Sequence, residues 1–458
     1  MRAKGCLFSV WICAALFGCT VAYAQKPLLI SGALDGLNQS VKIALNKTDG
    51  RGLVVWSQGK AGANSYGRIY AAELTPQSGG SYTAGAPMLI SANSGSNQRP
   101  SVMYLSKLGK YLITWDTSFR DLRHFLELDP IDGRPFPPSD VLARTYTPAS
   151  TGATQGTLGN LLKLNDTETV LAAIPGAFQL TSNVLETGEA AVDKAFITFL
   201  GSTEGGEDGH NWAAGLWGAR CEIQKKGSPD LSVPKRVQMS SWDLIATAPS
   251  GFSAGGKIYA AGIRLDALEY YENGRGGVFR IKPDSFKVEQ FITTSPNWDP
   301  HKKAPPLKTY GQVTPLDAPA QEADEAASAD FRIVGLSNVD LNILVFSSDM
   351  SAASFKKVGS VAGANTIVDQ RFFTITDTLK GTRQVYVLYH TTKQMFMYRA
   401  LSSATGAPTG ASVKALNKIS GPLIWMDTIA VGRDVLVVYS QKKSDSLYEV
   451  YFNRFAVP

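Results

Sequence analysis

Pro27–Ser57 reads PLLISGALDGLNQSVKIALNKTDGRGLVVWS, and Pro87–Asp116 reads PMLISANSGSNQRPSVMYLSKLGKYLITWD. Laid over one another, Ser31 matches Ser91, Asn38-Gln39 matches Asn97-Gln98, Val41 matches Val102 and Trp56 matches Trp115. So many matches in one order mark an internal repeat of about 60 residues. The hydrophobic core of the repeat, GLVVWS and YLITWD, returns as NILVFSS around Phe346, QVYVLYHT around Tyr389 and VLVVYSQ around Tyr439. A second element follows a polar loop: RIYAAELTP from Arg68, RHFLELDPIDG from Arg123, MFMYRALSSATG from Met395 and YEVYFNRF from Tyr448.

These segments are four to seven residues long and rich in Val, Ile, Tyr, Phe and Trp. Gly, Asn, Asp and Ser clusters separate them, which is the pattern of short strands joined by turns. Each unit reads as four strands: A (SVKIAL), B (LVVWS), C (RIYAAEL) and D (PMLIS). NLLKLND, TVLAAIP and AFITFLG are expected to form one unit within 154–235, and a further unit extends to about 294. A four-stranded unit at this period predicts an all-β chain folded as a β-propeller, with seven blades or, as the alternative, six. The opening LLIS reads as a strand D without a blade, and the closing YEVYFNRFAVP as a strand C without its D. Pairing the two would close the last blade with the N-terminal strand and remove two sheet edges. Two β-sandwich domains are the competing architecture.

The pattern of core, polar loop, R-I-Y-x-x-x-L, turn and L-I-S resembles the degenerate propeller repeats of many exported bacterial proteins. The resemblance is structural and transfers no catalytic residue.

Composition agrees. The chain has 458 residues, 44% hydrophobic, 18% charged, with 43 glycines. That is enough apolar surface for a large core and excludes a disordered polymer. The formal net charge of +6 is spread along the chain in short pairs, not gathered in a stripe. No nucleic-acid partner is therefore expected.

Residues 1–24 read as a signal peptide: Arg2 and Lys4, an apolar run from Cys6, then Ala22-Tyr23-Ala24 before Gln25. The expected location is periplasmic or extracellular, with no transmembrane segment in the mature chain, residues 25–458. Leu16-Phe17-Gly18-Cys19 supports a minority reading, a lipid anchor at Cys19 of an outer-membrane lipoprotein. Of four cysteines only Cys221 follows the leader, so no internal disulfide is expected and Cys221 reads as a small buried apolar side chain.

Two loop insertions are expected, at about 201–235 and 295–328. In a meander the B–C loops and D–A linkers emerge on one face, so that face is expected to be loop-rich and to bind. Asn38, Gln39, Asn97 and Gln98 are placed there in equivalent linkers, with turn and inter-blade hydrogen bonding as the alternative to ligand recognition. Asp116 and Arg120 open a B–C loop, as ligand contacts or as a surface ion pair. Trp212 and Trp298 are candidates for stacking on sugar rings. Glu207, Asp208 and His210 form an acidic, Gly-rich stretch of the type that suits Ca²⁺, while no other cofactor is implied.

No G-x-S-x-G, H-E-x-x-H, Walker or C-x-x-C motif is present. The expected function is an exported, non-catalytic propeller binding a protein, an envelope component or a glycan. The alternative is a secreted glycan-active hydrolase or lyase with paired carboxylates at the channel mouth.

Overall fold

The computed structural model describes residues 26–59, 67–92, 96–106, 108–118, 139–150, 155–164, 172–174, 192–203, 213–238, 244–245, 251–254, 257–264, 275–282, 285, 287–293, 313–316, 332–336, 343–347, 367–377, 382–393 and 395–458. Among these every regular element is a strand. After β1 (Leu28–Leu29), the N-terminal meander comprises β2 (Leu37–Leu45), β3 (Gly52–Gly59), β4 (Arg68–Pro76), β5 (Tyr82–Ala84) and β6 (Met88–Leu89). The next is β7 (Ser96–Leu105), β8 (Lys110–Ser118), β9 (Ser139–Thr147) and β10 (Thr157–Lys163). A third comprises β11 (Ala172–Ile174), β12 (Val192–Thr203), β13 (Ala213–Gln224) and β14 (Leu231–Gln238). Then come β15 (Leu244–Ile245), β16 (Gly251–Ala254), β17 (Lys257–Arg264), β18 (Arg275–Ile281) and β19 (Val288–Thr293). A three-stranded sheet of β20 (Val313–Pro315), β21 (Arg332–Leu336) and β22 (Ile343–Ser347) follows. The penultimate meander is β23 (Ile367–Asp377), β24 (Thr382–Thr391), β25 (Phe396–Leu401) and β26 (Pro408–Leu416). The last is β27 (Leu423–Val431), β28 (Asp434–Ser444) and β29 (Leu447–Ala456).

Strands within each meander pair antiparallel in chain order, except that β5 and β6 both pair with β4, and β15 and β16 both pair with β17. β1 pairs antiparallel with β29, Leu28 opposite Phe452 and Leu29 opposite Tyr451, so the N-terminal strand supplies the fourth strand of the last meander. The first and last meanders merge in one hydrogen-bonded sheet only through a single parallel bridge, Leu37 to Tyr448.

The apolar pattern explains why meanders stack. β3 is buried along GLVVWS, so both of its faces are covered. In β4 the alternation splits the strand between two neighbours. Ile69 and Ala71 join the second meander's Ile113, Trp115 and Tyr146, while Ala72 and Leu74 join Leu436, Val438 and Phe452 of the last. The second and third meanders share another core containing buried Cys221, and the penultimate and last share one around Phe396 and Tyr439. Each of these cores lies between successive meanders, so no meander buries its apolar faces alone. The first strands of adjacent meanders also bond directly: Met426 N–H donates to Asp369 at 3.3 Å and Ile43 N–H to Asp427 at 3.1 Å. Successive meanders with neighbouring inner strands and shared inter-sheet cores define a β-propeller.

Several expectations are corrected. Gly201–Thr203 and Ala213–Gln224 are strand, as is Leu231–Gln238, so most of the stretch expected as a loop insertion at 201–235 is sheet. Within 295–328, Val313–Pro315 is a strand paired with β21, and most of the remainder lies outside the described residues. NLLKL belongs to β10 and pairs with β9 of the preceding sheet instead of opening a new unit. The expected strand C at Arg123–Gly133 lies outside the described residues, and β9 takes that place beside β8. The leader, residues 1–24, also lies outside them. No helix among the described residues is long and apolar enough to cross a membrane.

Candidate functional site

Ladder register fixes which residues are equivalent. Ile43 opposes Val54 in the first meander, and Val102 opposes Ile113 in the second. The repeat offset is therefore a constant 59 along these strands, and Val102 corresponds to Ile43, not to Val41. Both inner strands carry a bulge at the same place, between Gln39 and Lys42 and between Gln98 and Ser101. At the bulges Ser40 and Arg99 have φ of 53° and 47°, the left-handed region. The bulge bends the inner strand and re-aims its side chains.

Beside each bulge lies an identical bracket. Trp56 Nε1 donates to Asn38 Oδ1 at 3.1 Å, and Asn38 Nδ2 donates to the Tyr448 carbonyl of the last meander at 2.6 Å. Trp115 Nε1 donates to Asn97 Oδ1 at 2.9 Å, and Asn97 Nδ2 donates to the Gly67 carbonyl of the first meander at 3.1 Å. A Cβ on Gly67 would lie 2.2 Å from the Asn97 carbonyl oxygen, so only glycine permits this approach. Asn38 and Asn97 thus sit inside β2 and β7, fully buried, instead of in linkers. Gln39 and Gln98 share those strands and are partly exposed. Gln98 Nε2 donates to Ser96 Oγ at 3.0 Å.

Asp116 lies in β8, not in a loop. It is fully buried and takes the Arg99 guanidinium in a bidentate pair at 2.5 and 3.2 Å. Burial pushes its carboxyl upward, against the opposing pull of Arg99. Arg120, Trp212, Trp298, Glu207, Asp208 and His210 lie outside the described residues. Among the described residues no group of His, Cys, Asp and Glu is arranged to hold a metal.

The last two meanders depart from this scheme. The residue after the core aromatic is Ser57, Asp116, His390 and Ser440 in the first, second, penultimate and last meanders. Ser57 Oγ donates to the Gln39 carbonyl at 3.2 Å, and Asp116 holds Arg99. His390 and Ser440 are equally buried, yet among the described residues neither His390 nitrogen nor Ser440 Oγ has a hydrogen-bond partner. Trp425 Nε1, across the ladder from Ser440, is unpartnered as well. His390 packs edge-on to Phe396 at 4.7 Å, and burial lowers its pKa to about 4.

On the same side the inner strands carry alternating charges across three meanders. Asp369 Oδ1 accepts from Arg371 Nη1 at 2.6 Å. Arg371 Nε lies 4.0 Å from Asp427 Oδ1, and Lys42 Nζ lies 3.8 Å from the same oxygen. The Arg371 guanidinium also sits 5.8 Å over the Trp425 ring. Burial lowers the Lys42 pKa, with Asp427 opposing, and raises that of Asp369, with Arg371 opposing. Both carboxylates are held a second time by the backbone N–H groups of Met426 and Ile43. Among the described residues the ammonium of Lys42 makes only its long ion pair, which leaves donors for another acceptor.

The charged wall escaped sequence reading because its members come one or two to a strand from three separated segments. Asp427 and Lys42 are more than 380 residues apart in the chain.

No protein-family model matches the chain, and no curated protein matches it. Among solved structures it is similar to a protein of unknown function from Dyadobacter fermentans, at TM-score 0.46 and 10% identity over 95% of this chain and 99% of that one. It is similar to Trypanosoma rangeli sialidase in complex with sialic acid, at TM-score 0.46 and 9% identity over 90% of this chain and 59% of that one. It is also similar to the parainfluenza virus 5 hemagglutinin-neuraminidase ectodomain, at TM-score 0.46 and 10% identity over 85% and 83%.

Proposed function

We propose that this chain is an exported, seven-bladed β-propeller that binds a glycan without transforming it. The ring is completed where β1 joins the last blade, and the ligand is met where the inner strands of the first, penultimate and last blades carry their charged wall. The observation that carries the reading is the chain Asp369–Arg371–Asp427–Lys42 beside Trp425. Alternating acceptors and donors next to an aromatic ring suit a ligand dense in hydroxyl groups, each of which both donates and accepts. Asp369 and Asp427 are each locked by a backbone N–H and a neighbouring cation, which favours a recognition surface over proton transfer.

A second reading, a glycan-active hydrolase or lyase, is favoured by one feature. Asp369 and Asp427 stand on either side of a single guanidinium, and paired carboxylates roughly 5–9.5 Å apart are the machinery of glycoside cleavage. The signal peptide supports export, with the lipid anchor at Cys19 as the variant arrangement.

A glycan array probed with the protein tests the proposal, with released reducing ends measured on every glycan that binds. Retention of a glycan without cleavage, weakened at least tenfold by Lys42→Met, supports it. Cleavage abolished by Asp427→Asn would establish the second reading, and capture of no glycan would overturn both.

A further inference from the structure

A second recessed site lies away from the inner strands, at the outer junction of the first two meanders. The fourth strand of the first sheet is broken there. β5 pairs with Leu74–Pro76 and β6 with Tyr70–Ala71; between them Gly85 N–H still donates to the Glu73 carbonyl at 2.9 Å, and the ladder is interrupted at Ala86-Pro87. The gap opens a cleft of about 170 Å³, well above the ~10–15 Å³ that a single water occupies on a comparable measure. Its lining grades from apolar to polar along one face of β4. Ala71 and Met88 are buried in the core shared with the second meander, while Glu73, Thr75 and Thr83 are more open.

Among the described residues Glu73 is the only charged group lining the cleft. Its Oε1 accepts from the Tyr146 hydroxyl and, at 2.8 Å, from the Ala149 N–H. Both partners are neutral. Burial and the bond to Glu73 push the Tyr146 hydroxyl upward, so it stays a donor. Among the described residues Glu73 forms no ion pair, and its second oxygen makes no hydrogen bond. A recessed carboxylate without a counter-ion attracts a cation. Tyr146 is 1% exposed, so it offers a hydroxyl and no ring face for a sugar to stack on.

We infer that this cleft receives a lysine side chain from a protein partner. The aliphatic stem would lie on Ala71 and Met88, and the ammonium would reach Glu73 with the Thr75 and Thr83 hydroxyls as further acceptors. The broken edge of the sheet beside it offers backbone groups to the segment that carries the lysine. This site is separate from the glycan wall, and its occupant is protein.

The test uses the full protein and a biotinylated pentapeptide, Gly-Ser-Lys-Ser-Gly, beside an analogue with norleucine in place of lysine. Saturable binding of the lysine peptide is expected, at least tenfold tighter than the analogue and weakening with added salt. Glu73→Gln should remove that preference. Because Glu73 also holds the second meander, Thr83→Phe serves as an independent variant that fills the cleft from an exposed position, and it should block binding with the melting temperature unchanged. Equal binding of the two peptides, no binding of the lysine peptide, binding indifferent to Thr83→Phe, or displacement by maltotriose would each overturn the inference.

Discussion

Asn38 takes the indole N–H of Trp56 on its carbonyl oxygen, and Asn97 does the same for Trp115 in the next meander. In both cases the amide nitrogen of the same asparagine reaches the backbone of the preceding blade. One side chain thus fixes the innermost pair of strands and the junction between blades together. Replacing Asn38 or Asn97 with alanine leaves a buried indole N–H unpaired and removes the side-chain bond to the preceding blade, where the Gly67 carbonyl keeps only the Asn97 backbone N–H at 3.0 Å. We predict a loss of about 3 kcal/mol for each, from desolvation without replacement. Urea denaturation measures it, and a loss below about 0.5 kcal/mol would show the bracket to be dispensable.

His390 predicts an acid sensitivity. Its folded pKa is about 4 against ~6.5 for a free imidazole. Between those values the unfolded chain binds a proton that the folded chain does not, so stability rises with pH across the window. Acidification from pH 7 to pH 4 should cost up to about 3 kcal/mol from this group, with no further cost from it below about pH 4. In His390→Phe that part of the slope should vanish. Urea midpoints at pH 4, 5, 6 and 7 compare the two proteins, and parallel profiles would contradict the prediction.

Asp427 joins two blades as an acceptor for Ile43 N–H and as the shared carboxylate of Lys42 and Arg371. Asp427→Ala leaves Lys42 without its ion-pair partner and the Ile43 N–H without its acceptor, while Arg371 keeps Asp369. The expected cost is about 3 kcal/mol, at the low end for breaking a buried pair because the site is partly open. Asp427→Asn keeps an acceptor for Ile43 and should cost less. Chemical denaturation of both variants orders them, and equal cost would assign the whole effect to charge.

Ser31 ties the chain ends. Its hydroxyl accepts the Val450 N–H at 3.1 Å, and Ile30 N–H donates to the Val450 carbonyl at 2.8 Å. Ser31→Ala, leaving a buried N–H short of its partner, should destabilise by about 1–2 kcal/mol. The equivalent Ser91 accepts Ile69 N–H at 3.1 Å within the first sheet, and Ser91→Ala should match it. A melting-temperature comparison checks the pair. A silent Ser31→Ala beside a damaging Ser91→Ala would separate the N-terminal strand from the fold.

Much of this architecture was legible in the chain. The matched stretches at Pro27 and Pro87 carry the strand order, the aromatic core and the roles of the two chain ends. What stayed hidden has local physical causes. A bulge at Ser40 and Arg99 adds a residue to the inner strand, and side-chain alternation cannot report where it falls; the sequence therefore aligns Val41 with Val102, whereas the ladders make Ile43 its equivalent. Asn38 and Asn97 read as linker residues because asparagine favours turns, yet a tryptophan 18 positions on satisfies each inside a strand. The central third has weaker alternation, and nothing in it shows that Asn160–Lys163 pairs back onto β9 instead of opening a new sheet. The charged wall arises from separated strands, and spacing within one segment carries no trace of it.

The most direct test of the ring is a cross-link between its ends. Leu29 and Tyr451 face each other across the β1–β29 ladder. Directly opposed residues bring their Cβ atoms to about 4.5–5.5 Å, near the span of a disulfide. In the double variant Leu29→Cys, Tyr451→Cys, mild oxidation should form an intramolecular disulfide in the monomer and raise the melting temperature. The control Leu29→Cys, Val413→Cys should stay reduced. Oxidation that yields only reduced monomer or intermolecular dimers would contradict the pairing, and with it the placement of the charged wall around a common axis.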